Sequence, residues 1–205
     1  MTTVDAFGAM NAVGLLAFAV VGSLRAVDAD LDALGVAVLG VMTALGGGVT
    51  RDLLVNATPA ALRTTSDVTV ALVGVGLGVA LSRVGAAGDL TDRAVVLLPD
   101  AIGLSAFATT GALVAADAGL SPFGVVLLAT VTGVGGGLIT DLLLRTVPSV
   151  LVEDFYATPA ILGGVTFWAL TVVDVPHQQA AVVCAATVLG LRLAAIGRGW
   201  ELPSP

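Results

Sequence analysis

The sequence predicts an all-α polytopic membrane protein. Seven transmembrane helices are expected, as two inverted three-helix repeats plus one extra C-terminal helix. Three observations predict it. Of 205 residues, 57% are hydrophobic and only 11% charged, with a mean hydropathy of +1.05; soluble domains carry about 25% charged residues, so water would not solvate this surface. The apolar residues gather into seven runs suited to crossing a bilayer at about 20 residues each. Sliding the chain by 89 residues lays its first half over its second, as Ala17 on Ala106 illustrates. Residues 1–205 are therefore read as a single membrane domain, with repeat one over 6–84, repeat two over 94–173 and a seventh span over 178–197.

Span one runs from about Ala6 to Leu24, with Asn11 and Ser23 as its polar members, and the acidic loop Asp28–Asp32 follows. Span two, about Ala33 to Val55, holds the triplet Gly46-Gly47-Gly48 and ends in Arg51-Asp52; the next loop, Asn56 to Asp67, carries Pro59 and Arg63. Span three, about Val68 to Val84, contains Gly74 and Gly78, a small-xxx-small pair that lets helix backbones approach closely. A polar loop with Arg83, Asp89, Asp92 and Arg93 leads to span four, about Ala94 to Ala116, where Pro99 and Asp100 lie near the start. Span five, about Pro122 to Leu144, holds the second triplet, Gly135-Gly136-Gly137, with Asp141 after it, and the loop Arg145 to Asp154 carries Pro148, Glu153 and Asp154. Span six is about Thr158 to Val173 and span seven about Ala180 to Ile196.

The repeat rests on particular residues. The shift superposes Ala17-Phe18-Ala19 on Ala106-Phe107-Ala108, Asp28 on Asp117, one triplet on the other, Asp52 on Asp141, and Pro59 on Pro148. Between Ala17 and Leu62, 21 of 46 pairs are identical. Ala, Val and Gly inflate such a count, but the matched Phe, Asp and Pro do not arise from composition. Three spans per unit is an odd number, so the second unit enters the membrane from the opposite side. Such repeats place a pathway near the midplane, lined by broken helices. Arginines near span ends set orientation. Arg25, Arg83, Arg93, Arg145, Arg192 and Arg198 fall on one side, Arg63 and Arg51 on the other. The N-terminus is thus expected outside and the C-terminus in the cytoplasm.

Each glycine in a helix costs roughly 1 kcal/mol relative to Ala, so two triplets inside spans demand a reason. Backbone freed in lipid must line a cavity or be buried in protein. The triplets therefore predict bends beside an aqueous path, meeting at a constriction between two vestibules. The candidate lining is Gly46, Gly47, Gly48, Gly135, Gly136 and Gly137, with Arg51, Asp52, Asp141 and Asp100 as charges and Thr43, Thr50, Thr132, Thr140 and Ser105 as hydroxyls. Three carboxylates against one guanidinium favour cations. Plainer readings stand beside this one. The triplets could simply permit tight packing, Arg51-Asp52 could be an interfacial helix-end pair, and Asp100 could cap its helix.

Other classes are disfavoured. A net charge of −7 with no lysine provides no basic face for nucleic acid; the acidity has two candidate origins, a salt-rich host and a GC-rich genome. One histidine and no nucleophile–base set argue against an enzyme, a resident metal or a cofactor. His177 reads as a loop residue. Trp168 and Trp200 read as interface anchors, and Cys184, the single cysteine, as a buried small hydrophobe. The start, Met1 to Asp5, lacks the positive region of a signal peptide, so span one is taken as retained.

Duplicated Phe-Ala-x-x-Gly, then Asp, Gly, the glycine triplet and a following Arg-Asp, in a three-plus-three-plus-one array, resemble the prokaryotic trimeric intracellular cation (TRIC) channels. The resemblance covers about Asn11 to Ile196. It implies a homotrimer in the cell membrane, each subunit with its own hourglass pore for K⁺ and Na⁺, lined by second and fifth spans bent at Gly46–Gly48 and Gly135–Gly137. The chain departs from the pattern at Thr140, which replaces the arginine in the second copy, and in lacking the lysine of animal members. A secondary carrier for a small solute such as an amino acid, with Arg51 binding a carboxylate, is the alternative from another class, and a non-transporting membrane scaffold a third.

Overall fold

The computed structural model describes residues 3–85, 93–152 and 155–200, with side chains from 7–83, 94–152 and 155–200. Asp89, Asp92, Glu153, Asp154, the first two residues and the last five lie outside the described residues, as does the side chain of Arg93. Nine helices occur among the described residues: α1 (Thr3–Asp28), α2 (Ala33–Leu54), α3 (Ala60–Arg63), α4 (Ser66–Gly85), α5 (Arg93–Asp117), α6 (Pro122–Leu143), α7 (Ser149–Val152), α8 (Thr158–Val172) and α9 (His177–Arg198). Six are long and apolar enough to cross a membrane, and α8 is a shorter apolar helix of 15 residues. At 1.5 Å per residue α8 alone falls short of a roughly 30 Å hydrocarbon core. Spans one to seven thus correspond to α1, α2, α4, α5, α6, α8 and α9. The one-turn helices α3 and α7 fall in stretches read as loops.

Local chemistry repeats at the 89-residue interval. Asp32 caps α2 by accepting from the Gly35 amide at 2.7 Å, and Ser121 caps α6 by accepting from the Gly124 amide at 3.2 Å. Side-chain oxygens in these places satisfy amides that a helix start leaves unpaired. The turns before them carry left-handed residues at Asp30 and Gly119, and the ends of α2 and α6 carry them at Asn56 and Arg145.

The inside is more polar than a water-soluble core. Thr43, Thr109, Thr110, Thr132 and Thr140 are completely buried, while Leu34, Leu72, Val73, Phe123 and Val182 face outward. Lipid rewards this arrangement, because outward leucines lose nothing there and inward hydroxyls find backbone partners. Phe18 and Phe107, one from each half, meet edge to face at 5.3 Å in the centre. Gly74 and Gly78 both bring α4 against α1, where an added Cβ would crowd Ala19 and Ser23. The two halves differ at their flanks. α4 packs directly on α1, whereas α9 fills much of the space between α5 and α8. Gly163 of α8 lets Val188 and Cys184 of α9 approach, and Cys184 is buried there as expected.

The triplets do not interrupt their helices, since α2 and α6 run unbroken through them. The interruption expected from the sequence is not seen, because every residue of both triplets is helical. What the glycines provide is proximity. A Cβ on Gly135 would lie 3.0 Å from the Cα of Gly47. One on Gly47 would run into the Thr132 carbonyl, and one on Gly136 into the Thr43 carbonyl, a reciprocal crossing of α2 and α6.

This crossing is testable. Gly136→Ala puts a methyl against backbone that cannot step aside, so it should destabilise the folded protein by about 1–3 kcal/mol despite alanine's helix propensity. Gly76→Ala, where nothing lies within 4 Å, should be neutral or stabilising by up to about 1 kcal/mol. Unfolding in mild detergent compares the two; equal stabilities would contradict the role given to the crossing.

Candidate functional site

Two polar clusters flank the α2–α6 crossing, one toward each end of the bundle. The first lies at the end where α1 begins and α2 finishes. Arg51, 2% exposed, donates from Nε to Asp52 Oδ1 at 2.9 Å, and its Nη2 is 2.8 Å from the same oxygen. Its Nη1 donates to Thr110 Oγ1 of α5 at 3.2 Å, and its Cζ sits 5.2 Å from the Phe7 ring centroid. The other Asp52 oxygen accepts the Ala60 amide at 2.9 Å, which ties the start of α3 beneath the end of α2. Nearby, Asn11 Nδ2 donates to Asp67 Oδ1 at 3.3 Å. Asn11, Gly48, Arg51, Asp52 and Asp67 line a cleft over an apolar wall of Leu15, Leu45 and Val49.

The second cluster lies at the opposite end. Asp141, 1% exposed, accepts from Arg25 Nη2 of α1 at 2.5 Å, and its other oxygen accepts the Ser149 amide at 2.7 Å. The second bond repeats the Asp52–Ala60 contact 89 positions on, so both carboxylates hold a one-turn helix in the same way. Tyr156 donates its hydroxyl to Asp100 Oδ1 at 3.0 Å. Asn11–Asp67 and Asp100–Tyr156 span the same 56 positions, one in each half. Arg192 of α9 brings its Nη2 to 3.6 Å from Asp100 Oδ2 and its Cζ to 4.7 Å from the Tyr156 ring centroid. The Tyr156 hydroxyl also lies over Gly137, whereas among the described residues the space at Gly48 meets only the Arg51 guanidinium, 3.8 Å from where a Cβ would stand.

Between the clusters, Thr43 and Thr140 hydroxyls meet at 2.6 Å across α2 and α6. Thr43 and Thr132 also bond back to Leu39 and Leu128 carbonyls on their own helices, and Thr50 to Gly46. The structure therefore brings Thr43, Thr140 and the glycines together at the crossing, Arg51 and Asp52 at one end, and Asp100 and Asp141 at the other. Ser105 stands apart, donating to the Ala185 carbonyl of α9 at 2.9 Å. Asp100 lies inside α5 rather than capping it, one residue beyond Pro99. His177 approaches Asp117 at 3.7 Å. Trp200 packs edge-on against Phe155 at 5.3 Å.

The expected imbalance of three carboxylates against one guanidinium is corrected. Asp52, Asp100 and Asp141 face Arg51, Arg192 and Arg25 respectively. A buried charge left alone would cost several kcal/mol, so each carboxylate deep in the bundle has a cation beside it. Sequence reasoning placed Arg25 and Arg192 at span ends and Asp67 in a loop, and it passed over Tyr156. The 89-residue shift held the missing signal, since Asp67 superposes on Tyr156 just as Asn11 does on Asp100.

The model of a family described as Glycine transporter matches twice, over residues 9–83 and 97–171. A UPF0126 membrane protein of Deinococcus radiodurans is 41% identical over 175 residues, 84% of this chain and 80% of that one. The UPF0126 inner membrane protein YadS of Escherichia coli K12 is 35% identical, covering 96% and 93%. The TRIC channel orthologue from Rhodobacter sphaeroides superposes with a TM-score of 0.88 at 30% identity, covering 97% of this chain and all of that one. This chain belongs to the TRIC family. A second TRIC structure, from work on conductance through TRIC cation channels, is 36% identical with a TM-score of 0.86 over 97% of both chains. The TRIC resemblance, the all-helical membrane fold and the multi-pass character expected from the sequence are thereby borne out, and the neighbours are channels rather than enzymes.

In this TRIC protein the Arg25–Asp141 pair joins α1 to α6 across the two halves. A double-mutant cycle of Arg25→Met and Asp141→Asn, read by unfolding in detergent, should give a coupling of about 1–3 kcal/mol. Additive effects would mean that the pair contributes nothing as a pair.

Proposed function

We propose that the protein is a monovalent-cation channel, conducting K⁺ and Na⁺ along a path inside each subunit. The observation that carries this reading is the glycine crossing of α2 and α6, with a polar cluster at either side of it. Kinship with TRIC cation channels supports it. On this reading the path passes Gly46–Gly48 and Gly135–Gly137, with Thr43, Thr132 and Thr140 at the narrows. Arg51, Asp52, Asp67, Asp100 and Asp141 stand in the vestibules. Ion pairs neutralise three of those carboxylates, and Asp67, held by the neutral Asn11 amide, supplies the acidic excess that attracts cations. The chain is organised as inverted repeats over 6–84 and 94–173, with the span at 178–197 outside the symmetry. It works as a homotrimer in the plasma membrane among lipids, N-terminus outside and C-terminus cytoplasmic. The arginine bias toward the end carrying Arg25, Arg83, Arg145 and Arg198 supports that orientation.

A carrier for a small zwitterion is the second reading. It is favoured by the guanidinium of Arg51 and the carboxylate of Asp67 lining one cleft, which suits a molecule bearing both charges, and by the family's description as Glycine transporter. Saturable, ion-coupled uptake of glycine into liposomes would select it.

For the channel, purified protein in planar bilayers should give a K⁺ current linear in concentration at low salt. Asp67→Asn should lower that current about two- to threefold at low ionic strength and less at high salt. A bilayer that stays silent with folded wild-type protein would end the channel reading.

A further inference from the structure

The helix that lies outside the 89-residue relation, α9, delivers a charge into the second cluster. In the first cluster the ground beside Gly48 is held by Asn11 and Asp67, an amide and a carboxylate with a net charge of −1. In the second, the superposed residues Asp100 and Tyr156 are a carboxylate and a phenol, again −1 by themselves. Arg192 sets a guanidinium against that carboxylate. It is 3% exposed, stands 3.6 Å from Asp100 Oδ2, stacks its guanidinium 4.7 Å from the Tyr156 ring centroid, and donates from Nη1 to the Phe155 carbonyl at 3.5 Å. A carboxylate, a ring face and a carbonyl oxygen all favour a cation. Among the described residues no seventh-helix cation reaches Asn11 and Asp67, because α4 packs directly on α1 there.

We propose that Arg192 is a selectivity-setting residue of the pathway: it holds the vestibule at the α1 C-terminal end neutral while the Asp67 vestibule stays acidic. This rests on the channel reading. Cations then concentrate at the Asp67 side, and in symmetrical KCl they pass more readily from that side than toward it. The backbone path is two-fold in form, and the seventh helix makes it electrically one-way biased. Asp100 is the group through which Arg192 acts, since uncovering its carboxylate makes both vestibules acidic.

The experiment is planar-bilayer recording of the full chain, wild-type and variant, in symmetrical KCl and in a KCl gradient. Wild-type should rectify. Arg192→Gln should bring the forward-to-reverse current ratio toward one. It should also raise the cation-over-anion permeability ratio, read from the reversal potential, about two- to threefold at low salt. Adding Asp100→Asn to that variant should restore wild-type rectification, because the vestibule is neutral again. Asp100→Asn alone leaves Arg192 uncompensated and should lower the permeability ratio; it serves as the test if Arg192→Gln does not fold. A conducting wild-type protein whose variants keep its rectification and reversal potential would overturn the proposal and leave the channel reading standing. So would a double variant indistinguishable from Arg192→Gln, since packing rather than charge would then explain the effect. Silence from folded wild-type protein would instead remove the channel reading itself.

Discussion

Backbone meeting backbone at the crossing of α2 and α6 is the contact on which the rest depends. With a Cβ at Gly135 only 3.0 Å from the Gly47 Cα, no larger residue fits there without parting the helices. That closeness sets the Thr43–Thr140 hydrogen bond at 2.6 Å. It also fixes the helix ends, because two helices locked at their middles carry their C-terminal turns to opposite ends of the bundle. Asp52 and Asp141 sit in those turns. Each turns one oxygen onto the first amide of a one-turn helix, at 2.9 Å and 2.7 Å, so the loops that close each end are anchored to the crossing.

The second constraint is electrostatic. A carboxylate moved from water into such surroundings is costly unless a cation and further donors meet it. Asp52 and Asp141 meet both conditions, with a guanidinium on one oxygen and a backbone amide on the other. Asp100 draws on Tyr156 and Arg192. Asp67 is half-buried at the mouth of its cleft, where an amide partner is enough because water remains close.

Much of this was legible in the sequence. Hydropathy located the spans to within a few residues, since a lipid-facing helix must be apolar along its whole length. The Gly74/Gly78 pair read correctly because close approach of two helices demands small residues at that spacing. The triplets stand out in the sequence, but the interruption expected there does not occur. Glycine's poor helix propensity suggested a break, yet packing against a partner backbone overrides propensity and keeps both helices whole. The counter-charges were harder to see. Arg25 lies 116 residues from Asp141 and Arg192 lies 92 from Asp100; local spacing carries no trace of such pairs, and arginines near span ends are equally suited to facing the cytoplasm. α3 and α7 escaped notice because a four-residue helix leaves no periodic signal.

The pattern of what repeats and what does not follows from the kind of bond involved. Contacts to backbone amides recur at 89 residues because the fold determines where an amide lies, and a short acceptor side chain must start from that one place to reach it. Contacts to guanidinium groups do not recur. Arg51 reaches Asp52 from the adjacent position, while Arg25 reaches Asp141 from another helix. A long, flexible side chain can deliver the same charge from several starting points, so the two halves were free to recruit their cations independently. Thr140 occupies the position that corresponds to Arg51; Arg25 serves Asp141, and Thr140 joins Thr43 at the crossing. The crossing and its anchored helix ends are therefore the symmetric features of this molecule. Charge is the property each half sets for itself.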